Sequence, residues 1–127
     1  MTVRGDWAVR RPDLAPGGWA FEFANVNYPD VDDTAEVVLA LLRVEGAAAG
    51  RGDLDDRIAA AIERARAWVD GMQSSEGGWG AFDADNTRSL VRELPFLDFG
   101  EVIDEPSADV TAHALEMLGL LGRAATP

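Results

Sequence analysis

The chain has 127 residues and a mass of 13.6 kDa, which leaves room for one domain at most. It carries 23 Asp and Glu against 11 Lys and Arg, and this net charge of −12 argues against nucleic-acid binding and against charge-driven attachment to anionic lipid. The lack of cysteine excludes a disulfide scaffold, a thiol nucleophile and a Cys-ligated zinc, and one histidine excludes a multi-histidine metal cluster. No apolar run approaches the length of a membrane span.

The first half of the sequence predicts an ordered loop followed by a helix. Residues 1–29 predict the loop, because Pro and Gly interrupt a segment rich in aromatic residues. The helix follows from Val31, since acidic residues crowd its first turn, where the helix dipole favours them. Its later turns are apolar nearly all round, as expected of a buried helix, and Gly46 and Gly50 mark its end.

Two more helices are predicted in the second half. One runs from about Asp53 to Met72 and is amphipathic. Its apolar residues recur at spacings of three and four, and they are Ile58, Ile62, Ala65, Val69 and Met72. The other begins near Ser107 with an apolar stripe that includes His113. The segment 73–106 between them is much longer than ordinary loops, which favours a functional role for it.

The sequence contains an internal repeat. Gly17-Gly18-Trp19 recurs 60 residues later as Gly77-Gly78-Trp79, and each copy leads through an aromatic and acidic stretch to a helix start. The two helix starts also align, because Asp32–Glu36 matches Asp109–His113. Repeats of this size predict an array of helix pairs, and such arrays need several units to bury their faces. We therefore expect the chain to be an excerpt from a longer one.

The densest acidic cluster is Asp30-Val31-Asp32-Asp33. An EF-hand loop would need Gly at its sixth position and Glu at its twelfth, where this chain has Ala35 and Leu41, so that metal site is excluded. A magnesium–diphosphate site would need basic partners for the phosphates, and none lies nearby in the sequence. Two interpretations stay open: the cluster caps a helix, or it supplies a catalytic acid.

Acid catalysis is chemically reasonable for such a cluster. Neighbouring, partly buried carboxylates cannot all ionise, and a carboxylic acid kept protonated in an apolar pocket is able to protonate an alkene. The carbocation that results needs aromatic faces and protection from water. Aromatic residues are frequent near both repeats, although core packing is the alternative for each: Trp19, Phe21, Phe23, Tyr28, Trp79, Phe82, Phe96 and Phe99.

His113 has two possible partners. Asp109 lies four residues earlier on the same helix face, which predicts a structural pair. The repeat alignment, however, puts His113 where Glu36 stands in the first copy, so neighbouring helices would bring the imidazole close to Asp32. An imidazolium there would stabilise the carboxylate that remains after proton transfer.

These residues resemble triterpene cyclases, and squalene-hopene cyclases in particular, from Gly5 to about Gly122. Asp30–Ala35 is similar to the Asp-x-Asp-Asp-Thr-Ala protonation motif of that family. The segments Phe96–Val102 and Asp109–His113 resemble those that follow the motif. The family's Gln-Trp repeat is matched at every spaced position by Arg64-Ala65, Trp68-Val69, Gln73, Gly77 and Trp79.

The resemblance implies an all-α fold, with residues 1–127 forming a central slice of the catalytic α/α toroid of a longer cyclase. It implies cyclisation of squalene to hopene and hopanol with no cofactor and no metal. Asp32 would be the general acid and His113 its hydrogen-bond partner, with Asp30, Asp33 and Asp109 in support. The cavity would be lined by Phe21, Phe82, Phe96 and Phe99.

The resemblance also implies partners and a location. The substrate would be squalene or a related polyprenoid, and no nucleic acid would be bound. The complete enzyme would be a homodimer attached peripherally to the cytoplasmic face of the cell membrane, and the segment alone would be inactive. Three residues depart from the family pattern: Asp13 stands where the first repeat has Gln, Phe82 where Tyr is usual, and Glu105 where Pro is usual.

Two alternatives to a cyclase follow from the residues. The first is a non-catalytic helical-repeat binding module whose acidic cluster is only a helix cap. The second is the related toroid of protein prenyltransferases, which the composition disfavours because its zinc needs a Cys ligand and this chain has none. The direction of the Asp32 carboxyl group, toward His113 or toward open water, distinguishes the cyclase from the binding module.

Overall fold

A computed structural model describes residues 3–47, 50, 52–85 and 104–125. Helices α1 (Val31–Ala47), α2 (Asp53–Gly71) and α3 (Ala108–Ala125) dominate it, and the described residues include no strand beyond an isolated antiparallel bridge between Trp19 and Asp30. The predicted all-α fold is therefore confirmed. The N-terminal segment departs from its prediction, because residues Asp6–Val9 form one turn of 3₁₀ helix.

Helix α1 is the centre of the fold, since both other helices pack against it. Its buried face consists of Val31, Thr34, Ala35, Val38 and Leu39. The opposite side is open: Ala40 is exposed, and Val44 keeps 43% of its surface. The prediction that α1 is buried all round is thus wrong for the described residues, because two neighbouring helices cover only part of its circumference.

Helix α2 buries the apolar stripe that its sequence predicts. The stripe lies against the core, and Trp68, fully buried, extends it. The ring of Trp68 meets that of Trp7 edge to face, with centroids 5.8 Å apart and planes at 90°, a favourable arrangement for two aromatic rings. Trp7 belongs to the 3₁₀ turn, so this contact fastens the N-terminal segment to α2.

Helix α3 buries Val110, Ala114 and Met117, while Leu118 and Leu121 pack at the edge of the core. This agrees with the predicted stripe. In the described part of the chain, no helix combines the length and apolar character that crossing a bilayer requires.

The first repeat is closed by a hydrogen-bonded turn at the start of α1. The backbone N–H of Trp19 donates to Thr34 Oγ1 at 2.8 Å, and the N–H of Asp30 donates to the carbonyl of Trp19 at 2.9 Å. The Thr34 hydroxyl in turn donates to the Asp30 carbonyl at 2.6 Å. Thr34 is fully buried, so its hydroxyl provides for polar backbone groups that water does not reach.

The second repeat has the same turn at the start of α3. The N–H of Trp79 donates to Thr111 Oγ1 at 3.0 Å, and the N–H of Ser107 donates to the Trp79 carbonyl at 3.0 Å. The aligned residues of the two copies therefore make the same bonds. The repeat is a structural unit and not a chance recurrence of Gly-Gly-Trp.

The side chains of Trp79 and Arg11 fix the loop that follows α2. Trp79 is 3% exposed, and its indole N–H donates to the Val69 carbonyl at 2.7 Å, near the end of α2. Arg11 donates to the carbonyls of Gly71 and Gln73, each at 2.8 Å, and pairs with Asp85 at 2.9 Å. Hydrogen bonds from Ser75 and then from this arginine lower the pKa of Asp85 to about 2.

Glycine is required where the first repeat meets α2. A Cβ on Gly18 would lie 2.8 Å from two ring atoms of Trp68 and 2.9 Å from Cβ of Pro29. A Cβ on Gly17 would overlap the carbonyl oxygen of Arg64. The Gly-Gly pair lets the turn lie directly on α2.

We predict that Gly18→Ala lowers the free energy of unfolding by about 1–3 kcal/mol, because the new methyl group overpacks a site bounded by a buried ring. Gly119→Ala is the matched control: nothing lies within 4 Å of its Cβ, and it sits inside α3. There alanine should stabilise the chain by about 0.5–1 kcal/mol. Urea denaturation followed by tryptophan fluorescence measures both, and equal effects would contradict the packing argument.

Candidate active site

Asp30 caps α1. Its Oδ1 accepts the backbone N–H of Asp32 at 2.7 Å and that of Asp33 at 3.1 Å, which satisfies two donors that the helix itself leaves free. Burial raises the pKa of Asp30, and the nearby charges of Asp33 and Asp32 add to this, while the two backbone hydrogen bonds oppose it. The interpretation of the acidic cluster as a helix cap is therefore correct for Asp30.

Asp32 faces α3 instead. Its Oδ1 lies 2.5 Å from Nδ1 of His113, so a short hydrogen bond joins the two helices. The structure thus brings these two residues together where the repeat alignment predicts. The side chains keep 41% and 40% of their surface, respectively, so the described residues enclose the pair only in part.

The charge state of His113 follows from its neighbours. The hydrogen bond and the negative charge of Asp32 raise the pKa of His113, burial opposes this, and the charges of Glu36 and Glu116 add to the rise. Because the folded-state pKa is raised, protonation of His113 stabilises the fold at pH values below the ordinary histidine pKa. That contribution is lost as the pH rises through the folded-state pKa.

Asp33 and Asp109 lie at the two helix starts. Burial, and then the charge of Asp32, raises the pKa of Asp33. Asp109 is exposed, and its pKa is lowered first by a hydrogen bond from Ser107, then by backbone N–H groups at the start of α3, with His113 contributing least. The imidazole Nδ1 is therefore held by Asp32 and not by Asp109, the other partner that the sequence allowed.

Glu36 is a member of this group that the sequence analysis did not assign. Its Oε1 lies 4.0 Å from Nε2 of His113, the ring nitrogen that Asp32 does not contact. The sequence contains a signal for this placement, because residues four apart on a helix share a face and Glu36 follows Asp32 by four. The spacing alone, however, does not give the direction of the imidazole.

The predicted substrate-binding aromatic residues differ in where the structure places them. Phe21 keeps 81% of its surface and Phe82 keeps 46%, so both side chains face away from the core of the described residues. Phe96 and Phe99 lie outside the described residues. Trp79 is buried, which is the core-packing alternative for that ring.

The backbone next to Phe82 is fixed against the start of α1. The carbonyl of Ala81 accepts the N–H of Val31 at 2.7 Å. The carboxylate of Asp104 accepts three consecutive N–H groups, from Ala81 at 2.9 Å, from Phe82, and from Asp83 at 2.6 Å. The loop that carries Phe82 is therefore attached to the same helix terminus that carries Asp32.

A groove of about 450 Å³ lies elsewhere, between α2 and α3, and none of the predicted site residues that the structure describes lines it. Its lining residues are Glu63, Arg66, Asp70, Leu118, Leu121 and Gly122. In the ranges that the structure describes, no three Asp, Glu or His side chains are placed to hold a metal ion.

Residues 1–127 match the family described as squalene-hopene cyclase C-terminal domain. The chain belongs to the squalene-hopene cyclase family. It is 56% identical over 124 residues to the squalene–hopene cyclase of Alicyclobacillus acidocaldarius, 49% over 122 residues to that of Zymomonas mobilis, and 46% over 127 residues to that of Bradyrhizobium diazoefficiens.

These matches cover 96%, 96% and 98% of this chain, respectively, and 18% of each relative. The chain thus spans about a fifth of the length of these curated squalene-hopene cyclases. Membership of this family means that the three helices form part of an α/α toroid.

We predict that Asp32→Asn lowers the titration midpoint of His113, because it removes both the charge and the carboxylate acceptor at Nδ1. The chain has a single histidine, so the imidazole resonances in an NMR titration report this residue alone. Asp56→Asn, on the exposed side of α2, is the matched control and should leave the midpoint unchanged. An unchanged midpoint in Asp32→Asn would contradict the pairing.

Proposed function

We propose that this chain supplies the general acid, Asp32, to a cyclase that converts squalene or a related polyprenoid to hopene and hopanol. Residues 1–127 would then be a segment of the catalytic α/α barrel of the complete enzyme. The observation that carries the proposal is the hydrogen bond between Asp32 and His113, which links neighbouring helices of two repeats. Membership of the squalene-hopene cyclase family supports the choice of substrate class.

The first chemical step is a proton transfer to an alkene. The O–H bond of the Asp32 carboxyl group breaks, and the π electrons of the terminal double bond form a new C–H bond, which leaves a tertiary carbocation. Oδ1 is held by His113, so Oδ2 is the oxygen available to carry this proton. The carboxylate that remains is stabilised by the adjacent imidazolium.

Ring closure then needs no further reagent. Each internal double bond attacks the cation before it, so positive charge moves along the substrate as carbon–carbon bonds form. Loss of a proton from the last cation gives hopene, and capture of water with loss of a proton gives hopanol. A proton from solvent returns to Asp32, which restores the acid.

The three carboxyl groups of the motif have different surroundings, and this supports Asp32 as the acid. Asp30 is engaged with two backbone N–H groups of α1. Asp32 alone of the three is hydrogen-bonded to the imidazole of His113. Asp30, Asp33 and Asp109 would support the pair through their charges and through the helix starts that they stabilise.

The aromatic side chains of Phe21, Phe82, Phe96 and Phe99 are proposed to line the cavity and stabilise the cationic intermediates. The exposure of Phe21 and Phe82 in this segment supports a role at a surface that the rest of the enzyme covers. The complete enzyme is proposed to be a homodimer, bound peripherally to the cytoplasmic face of the cell membrane, where it would collect its substrate. The segment alone is proposed to be inactive.

A binding module whose acidic cluster only caps a helix is the second candidate, and the capping bonds of Asp30 favour it. That candidate does not explain why the carboxyl group of Asp32, unlike that of Asp30, bonds to an imidazole on another helix. The cyclase accounts for both carboxyl groups.

We predict that Asp32→Asn lowers turnover of squalene by at least about 10²-fold, since general acids contribute about 10²–10⁴-fold to rate. The assay uses a chimera in which this chain replaces the matching 124-residue segment of the Alicyclobacillus acidocaldarius enzyme. Product formation is followed by gas chromatography, with the unsubstituted chimera as reference and Asp56→Asn as control. Near-normal turnover by the Asp32→Asn chimera would defeat the assignment.

We predict that Phe82→Tyr in the same chimera changes the mixture of products more than the rate of squalene consumption. The added hydroxyl alters the lining of the cavity, while the loop keeps its position because its backbone is held by Asp104. Chromatography of the products measures the mixture, and an identical mixture in both proteins would count against a cavity role for Phe82.

A further inference from the structure

His113 lies between two carboxylates of the same helix. Asp32 contacts Nδ1 at 2.5 Å, and Glu36 Oε1 lies 4.0 Å from Nε2. The two acidic residues are one turn apart on α1, so they present their carboxylates on one face, and the imidazole of α3 spans the gap between them.

The repeat gives this arrangement a simple origin. Glu36 and His113 occupy equivalent positions in the two copies, and the two helix starts are fixed by the same hydrogen-bonded turn. Equivalent positions on neighbouring helices of an array lie side by side, so an acidic residue in one copy meets a basic residue in the next.

The chemistry of imidazole makes two carboxylate neighbours consequential. A neutral ring carries one N–H and one acceptor nitrogen, whereas the imidazolium carries N–H on both nitrogens. Only the imidazolium therefore offers a proton to carboxylates at both ends. The other charged groups that face His113 on α3 are Asp109 and Glu116, and they are acidic as well.

We propose that Glu36 is a positioning residue that holds His113 as the imidazolium, with Nε2 toward Glu36 and Nδ1–H on Asp32. This role rests on the proposed function of Asp32 as the general acid. With its far nitrogen attracted to Glu36, the ring keeps its orientation after Asp32 has given up its proton. The new carboxylate then faces a cation throughout the time that the substrate is positively charged.

Glu36 acts through its charge, because the 4.0 Å between its Oε1 and Nε2 of His113 is beyond a direct hydrogen bond and its side chain keeps 55% of its surface. Its influence on His113 is therefore smaller than that of Asp32. It should nevertheless exceed that of a carboxylate that lies along α3 and does not approach Nε2.

The test is an NMR titration of the single imidazole in the full 127-residue chain, and it compares Glu36→Gln with Glu116→Gln. Both variants remove one negative charge from an exposed site near His113. We expect the midpoint of His113 to fall in Glu36→Gln by more than in Glu116→Gln and by less than in Asp32→Asn. Glu36→Asp, which keeps the charge but shortens the side chain, should lie between Glu36→Gln and the parent chain.

Equal shifts in Glu36→Gln and Glu116→Gln, or no shift in Glu36→Gln, would overturn the proposal, since the position of Glu36 beside Nε2 would then have no effect of its own on His113. Nitrogen-15 shifts of Nδ1 and Nε2 give a second measurement, because Glu36→Gln should lower the protonated fraction of His113 at a fixed pH. The titration needs no substrate. Its failure is therefore distinct from a failure of Asp32 as the acid, which the turnover of the chimera decides.

Discussion

The arrangement of the molecule depends on the hydrogen bond between a threonine hydroxyl near the start of a helix and the backbone N–H of the tryptophan that ends a Gly-Gly turn. It occurs twice, at Thr34 with Trp19 and at Thr111 with Trp79. Because the bond is the same in both copies, α1 and α3 begin in the same register relative to their turns. The aligned residues Glu36 and His113 then lie on the facing sides of α1 and α3, and Asp32, one helical turn before Glu36, reaches the same imidazole.

The division of work within the acidic motif follows from geometry at the helix start. Asp30 precedes the first turn, so its side chain folds back onto free N–H groups. Asp32 lies within that turn, where its carboxyl group projects sideways toward α3. Residues two positions apart thus make different contacts: Asp30 stabilises the start of α1, and Asp32 pairs with His113 on α3.

Much of this could be predicted from the sequence. The helices and the stripe on α2 follow from periodicity, and the partner of Asp32 follows from aligning the two copies. The burial of α1 was overestimated, because hydropathy records which residues avoid water and not how many neighbours a segment of chain provides for Ala40 or Val44. The closeness of Glu36 to the imidazole was missed, because it depends on the rotation of a ring about its own side-chain bonds. The functional assignment of the motif came from resemblance to a family and not from spacing, since the same spacing of acidic residues is equally compatible with a helix cap.

The hydrogen bonds that Asp104 accepts from three successive backbone amides have an evolutionary consequence. The hydrogen bonds that hold residues 81–83 join backbone N–H groups to the carboxylate of Asp104, so none of them depends on the side chain of Phe82. An exchange at Phe82 therefore leaves the backbone hydrogen bonds of the loop available as before. A lineage is thereby free to vary this side chain without first acquiring compensating changes in the bonds that hold the loop.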